Sequence, residues 1–146
     1  MAGLGLAGPL AVDANLLGYM YFGEYPERQM KSRAAMVEAR EFGIQVSTVT
    51  LSELLVRPQR LGGRTMVSTL FATISTTPGL KLVPLAPEWS RLVAEIRVTH
   101  GLKLPDAIIL ASAVSGGADL LLTNDRQLFR AAESRLRAVY FDDWQP

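Results

Sequence analysis

Five short stretches limit what this chain can fold into: "PLAV" at 9–12, "IQVSTVT" at 44–50, "LKLVPLA" at 80–86, "LLLT" at 120–123 and "AVYF" at 138–141. They are apolar or β-branched almost without interruption, as strands are when a sheet is covered on both faces. The segments between them have helical character. "NLLGYMYF" reads as a short helix. "PERQMKSRAAMVEAREFG" reads as a longer one, with Pro26 in its first turn, Glu27 four residues before Lys31, and Gly43 as a stop. Thr50 and Glu53 have capping-box spacing at the start of "LSELLV", "RPQRLGGR" reads as a break, and "TMVSTLFATIST" as a helix ended by "TPG". "PEWSRLVAEIRVTHG" places Trp89, Leu92, Val93 and Ile96 on one face and stops at Gly101; Pro105 opens the next helix. Strands alternating with helices predict an α/β fold of three layers, with a mainly parallel central sheet. In such folds ligands bind beyond the carboxyl ends of the strands.

Composition narrows the chemistry. With 146 residues, 49% of them hydrophobic and 20% charged, the whole chain, 1–146, is expected to be a single globular domain. A net charge of +1 is far from that of a dedicated nucleic-acid binder, although a nuclease needs only a local basic patch. The absence of cysteine excludes disulfides, thiol nucleophiles, thiolate zinc sites and iron–sulfur clusters. A single histidine excludes two-imidazole acid–base chemistry. No segment approaches the length of a membrane span, and the protein is expected to be cytoplasmic. "MAGLGLAGPLAV" lacks a charged n-region and reads as a short leader into the first strand.

Fourteen acidic residues are present, and most sit in ordinary settings. Glu27, Glu38, Glu41, Glu88, Glu95 and Glu133 fall in charged helical patterns, Asp119 in a "GGAD" turn, and Asp142 and Asp143 near the chain end. Four are different. Asp13 follows the first strand, Glu53 lies one helical turn past the second, Asp125 follows the fourth, and Asp106 opens the apolar run "AIILASAV". Each has a structural explanation by itself: a capping box for Glu53, a helix dipole for Asp106, turn chemistry for Asp13 and Asp125. Gathered at one sheet edge, however, they would repel; two carboxylates about 4 Å apart cost roughly 4 kcal/mol at an effective dielectric near 20. Such a cluster calls for a cation, and an all-oxygen donor set suits Mg²⁺ or Mn²⁺.

The segments "VDANLL", "TLSELL", "LPDAIILASA" and "LLTND", in that order, resemble the PIN domain, and especially the VapC-type ribonuclease toxins of toxin–antitoxin pairs. The resemblance spans about residues 10–142. It implies a metal-dependent endoribonuclease that hydrolyses RNA phosphodiesters and leaves a 5′-phosphate and a 3′-hydroxyl. The acidic site would be Asp13, Glu53, Asp106 and Asp125, holding Mg²⁺ or Mn²⁺, with Asn15 and Thr123 in support. Many relatives carry histidine three residues after the aspartate matching Asp106; here that position is Ile109. The expected partners are an RNA substrate, a cognate antitoxin and a second copy of the chain, with "LLGYMYF" and "TLFATI" as apolar contact stretches.

Arg57, Arg60 and Arg64 around Gly62–Gly63, and Arg126 and Arg130 after Asp125, are candidate phosphate contacts; a solvated loop or an antitoxin contact explains the first three equally well. His100 reads as a helix cap. Two rival functions use the same residues. One is a PIN-like scaffold that binds RNA or protein without cutting. The other is a phosphatase with Asp13 as nucleophile, which would want a lysine beside the late aspartates, whereas Lys103 stands three residues from Asp106.

Overall fold

The computed structural model describes residues 3–146. Five parallel strands form one sheet in the order β3-β2-β1-β4-β5: β1 is Leu10–Val12, β2 Ile44–Ser47, β3 Leu80–Val83, β4 Leu120–Thr123 and β5 Arg137–Tyr140. The first crossover carries α1 (Ala14–Phe22) and α2 (Pro26–Ala39), and the second α3 (Thr48–Leu61) and α4 (Arg64–Ser75). The third carries α5 (Ser90–His100) and α6 (Leu104–Ser115), and the last α7 (Arg126–Glu133).

Strand alternation sorts the core into two layers. Leu10, Val12, Ile44, Val46, Leu120 and Leu122 pack against α1–α4. Ala11 and Leu121 point the other way, against α5, α6 and α7. Both faces are therefore covered, as continuous apolar strands require. The chain winds outward from β1 through β2 to β3, then crosses to β4 on the other side of β1. The switch point lies between β1 and β4, and their carboxyl ends hand over directly to Asp13 and Asp125.

Three local expectations are corrected. The stretch "IQVSTVT" is strand only to Ser47, whose hydroxyl accepts from the Val49 N–H at 3.2 Å and caps α3. Thr50 is thus inside the helix, and Thr50 and Glu53 form no capping box. "RPQRLGGR" is not a break along its length. The helix runs on through a buried Pro58 to Leu61, and only Gly62–Gly63 interrupts, with Gly63 at φ +70° as the cap of α4. Packing of Leu51, Leu54 and Pro58 offsets the backbone hydrogen bond that Pro58 cannot donate. The "PERQMKSRAAMVEAREFG" helix ends at Ala39, four residues before Gly43. Gly101, with φ +66°, does end α5 as expected.

Candidate active site

Asp13 is the first residue beyond β1 and is only 4% exposed. One carboxylate oxygen caps α1 by accepting from the Leu16 N–H at 3.3 Å, and the other accepts from the Thr123 hydroxyl. Thr123, fully buried at the end of β4, also accepts from the Asp125 N–H at 3.0 Å, so one hydroxyl joins the ends of the two central strands. Asp125 in turn caps α7, accepting from the Leu128 N–H at 2.9 Å. Asp106 is in the first turn of α6, with Pro105 before it and the buried run from Ala107 to Ala113 behind it. Glu53 reaches the same place from α3 and is the most exposed of the four.

The four carboxylates line a single cleft of about 210 Å³, together with Asn15, Lys103 and Ile109. Burial pushes the Asp13 carboxyl up to about 6; the charge of Asp125 adds to this, against the pull of its hydrogen bonds from Thr123 and Leu16. Asp106 is raised by burial and then by Asp125, with Lys103 drawing it back. Glu53 is raised by burial and then by Asp106. The acids are therefore linked in a chain of mutual repulsion, Asp13 to Asp125 to Asp106 to Glu53, and among the described residues Lys103 is the one cationic side chain in the wall.

The donor set fits a hard divalent ion: oxygen ligands of like charge and no sulfur. Among the described residues no three acidic or histidine side chains are drawn tightly enough together to hold an ion by themselves. Water would therefore complete the shell of an ion in this cleft, as is usual for Mg²⁺. Asp13 accepts from the Leu16 N–H and the Thr123 hydroxyl on different oxygens, and a carboxylate has further lone-pair sites for a cation.

The arginines lie outside this cleft. Arg57 pairs with Glu24 at 2.5 Å and lies 4.7 Å from the Phe22 ring centroid. Arg60 and Arg64 are exposed on either side of Gly62–Gly63. Arg126 covers the Tyr140 ring at 4.2 Å, and Arg130 is exposed in the last turn of α7. His100, in the last turn of α5, accepts from Arg135 at 3.3 Å. Lys103, set aside in the sequence for standing three residues from Asp106, lines the cleft and acts on the Asp106 charge. Its only signal was its place just before the proline-opened turn that carries Asp106.

A family model described as "PIN domain" matches residues 10–134. No curated protein matches the chain closely enough to count as a relative. Among solved structures, the DNA-bound VapBC of Salmonella typhimurium superposes with a TM-score of 0.72 at 17% identity, over 92% of this chain and 98% of that one. VapBC2 of Rickettsia felis, bound to a DNA fragment from its promoter, gives 0.69 at 16%, over 94% and 99%. A Mycobacterium tuberculosis VapC, described as a sarcin–ricin loop cleaving toxin, gives 0.67 at 15%, over 84% and 94%. At these identities the likeness is one of fold.

Proposed function

This chain belongs to the PIN domain family, and from that premise we propose that it is a metal-dependent endoribonuclease and the toxin of a type II toxin–antitoxin pair, acting in the cytoplasm. The observation that carries this reading is the set of four mutually repelling carboxylates at the switch point, with one lysine beside them in the wall. A protein gathers such a set at a cost, and a divalent cation removes it.

Asp13, Glu53 and Asp106 are the principal ligands in this reading. Asp125 and Asn15 complete the shell or orient water. Thr123 holds Asp13 in place through its hydroxyl and fixes the Asp125 backbone through its oxygen. Lys103 offsets part of the acidic charge and offers a cation to the phosphate. When bound, Mg²⁺ or Mn²⁺ supplies the Lewis acid that activates water and offsets charge on the phosphodiester.

Lys103 in the cleft revives the ground on which a phosphatase would stand. Asp13 opposes it. The residue is only 4% exposed, which leaves less room for a tetrahedral phosphate to approach in line than for a small cation. The partner surface we infer is on α3 and α4, where Leu61, Met66 and Phe71 are exposed beside an apolar cavity of about 330 Å³. No helix is long and apolar enough to cross a membrane among the described residues.

The deciding experiment is cleavage of total RNA by the purified protein in Mn²⁺ and in EDTA, together with size-exclusion chromatography and expression without a partner. The expected result is Mn²⁺-dependent cutting, a dimer and growth arrest. RNA binding without cutting would establish the scaffold instead, and a trapped aspartyl-phosphate on Asp13 the phosphatase.

A further inference from the structure

A second cavity, of about 270 Å³, opens beside the acidic cleft and shares Ala14, Asn15 and Glu53 with it. Its chemistry is different. Tyr19, Phe22 and Tyr25 give it aromatic walls, and Arg57 and Glu24 form an ion pair at its side. Tyr19 and Tyr25 meet edge to face, 6.3 Å between centroids and 88° between planes, so the two rings present differently oriented surfaces. Arg28 lies 5.0 Å and 5.7 Å from their centroids and is not part of the cavity wall.

These aromatics are tied to the acidic cleft. The Tyr19 hydroxyl accepts from Arg28 Nη1 at 2.9 Å and from Asn124 Nδ2 at 2.9 Å. Asn124 stands between Thr123 and Asp125, so the segment that arranges the carboxylates also fixes the orientation of a wall of the neighbouring cavity. Tyr25 is different: it is 55% exposed at the start of α2, with no side-chain capping bond. Local helix formation does not need an aromatic ring there.

Resting on the ribonuclease reading, we propose that this cavity is a nucleobase subsite. It takes one unstacked base of single-stranded RNA, next to the phosphodiester held at the carboxylates, with Tyr25 as a stacking face and the Arg57–Glu24 pair beside the base edge. Single-stranded RNA is recognised by bases splayed out onto aromatic and guanidinium faces. Stacking tolerates any base, whereas a carboxylate and a guanidinium at the edge discriminate by hydrogen bonding. A cavity that shares Asn15 and Glu53 with the cleft puts that recognition next to the scissile bond.

The test uses short RNAs carrying 2-aminopurine at successive positions, whose fluorescence is quenched on stacking. Binding is read in Ca²⁺ and cleavage in Mn²⁺. One labelled position should be quenched on binding. Tyr25→Leu should abolish that quenching and weaken binding on the order of ten-fold, and Tyr25→Phe, which keeps the ring, should restore both. Phe42→Leu removes an exposed aromatic from the amino end of β2 and should change neither. RNA cleavage with no dependence on Tyr25 overturns the subsite and leaves the nuclease standing. Tyr25-dependent quenching without cleavage overturns the nuclease and keeps the subsite. Loss of antitoxin binding in Tyr25→Leu, with RNA binding and quenching intact, assigns the cavity to a protein partner and overturns the proposal.

Discussion

Asp119 and Asp106 stand at opposite ends of the same sheet and are treated in opposite ways. Asp119, just before β4, accepts from the Ala7 N–H at 2.8 Å and from Arg137 Nη1 at 2.9 Å. The backbone hydrogen bond from Ala7, followed by the Arg137 charge, holds its carboxyl below the usual range. Asp106, at the carboxyl end, is raised by burial and by Asp125. At the amino end the protein supplies partners for its acids. Glu38 is another case, accepting from the Leu4 N–H at 2.6 Å. At the carboxyl end it places acids beside acids. The first arrangement ties down the segment before β1, and the second is suited to a cation from outside.

The largest expected effect breaks the carboxyl-end set. Asp106→Asn keeps the shape and removes one charge, so cleavage should fall at least about a hundred-fold while the metal-free protein melts no lower than wild type. A variant that melts lower in EDTA and still cuts RNA would make Asp106 a helix-dipole partner and no more.

Next comes the pH dependence of the metal-free fold. The Asp13 carboxyl is raised to about 6, so ionising it costs the folded state. Its contribution is fully present below about pH 4 and is lost as pH rises through about 6, an effect of about 3 kcal/mol. Urea unfolding in EDTA should therefore show lower stability at about pH 7 than at about pH 5, and Asp13→Asn should flatten that difference. An unchanged slope in the variant would mean that Asp13 is not the group responsible.

Adding Mn²⁺ at about a hundred times its Kd should stabilise the wild type by about 2.7 kcal/mol, by mass action. Asp106→Asn should lose most of that gain at the same concentration. Equal thermal shifts in both proteins would place the ion elsewhere.

The smallest effects belong to the paired acids. Asp119→Asn should lower the melting temperature slightly at neutral pH and leave cleavage unchanged. Because its carboxyl is depressed when folded, its contribution is present above about pH 4 and fades as pH falls. Asp142→Asn breaks an exposed pair with Arg28 at 3.1 Å, weakens a charge contact with Lys31, and should change neither readout. Loss of cutting in a folded Asp142→Asn variant would show the site to be misplaced.

Local signals already carried most of the architecture. Apolar strand runs, Pro105 and Gly101 at helix ends, and the alternation of element types dictate a parallel sheet covered on both faces. Because an acid next to a strand's carboxyl end is a matter of adjacent residues, Asp13 and Asp125 could be singled out by reading along the chain. The start of α3 was less legible. Thr48, Val49 and Thr50 have strand propensity, and only the Ser47 cap and the burial of Thr50, Leu51 and Leu54 draw them into a helix.

What tertiary structure alone decided is which groups meet across long separations. Thr123 bonds Asp13 from 110 positions away, Asp119 receives Ala7 from 112, and Lys103 turns into the cleft instead of away from it. Arg57 finds Glu24 rather than open solvent. None of these pairings has a period or a spacing in the chain. They follow from the order β3-β2-β1-β4-β5, which brings β1 and β4 side by side and so turns separately placed acids into one charged cleft. The sequence determined which residues carry charge and where each element ends. Folding determined which charges are left facing one another, because that depends on distances through space and on the water that burial removes.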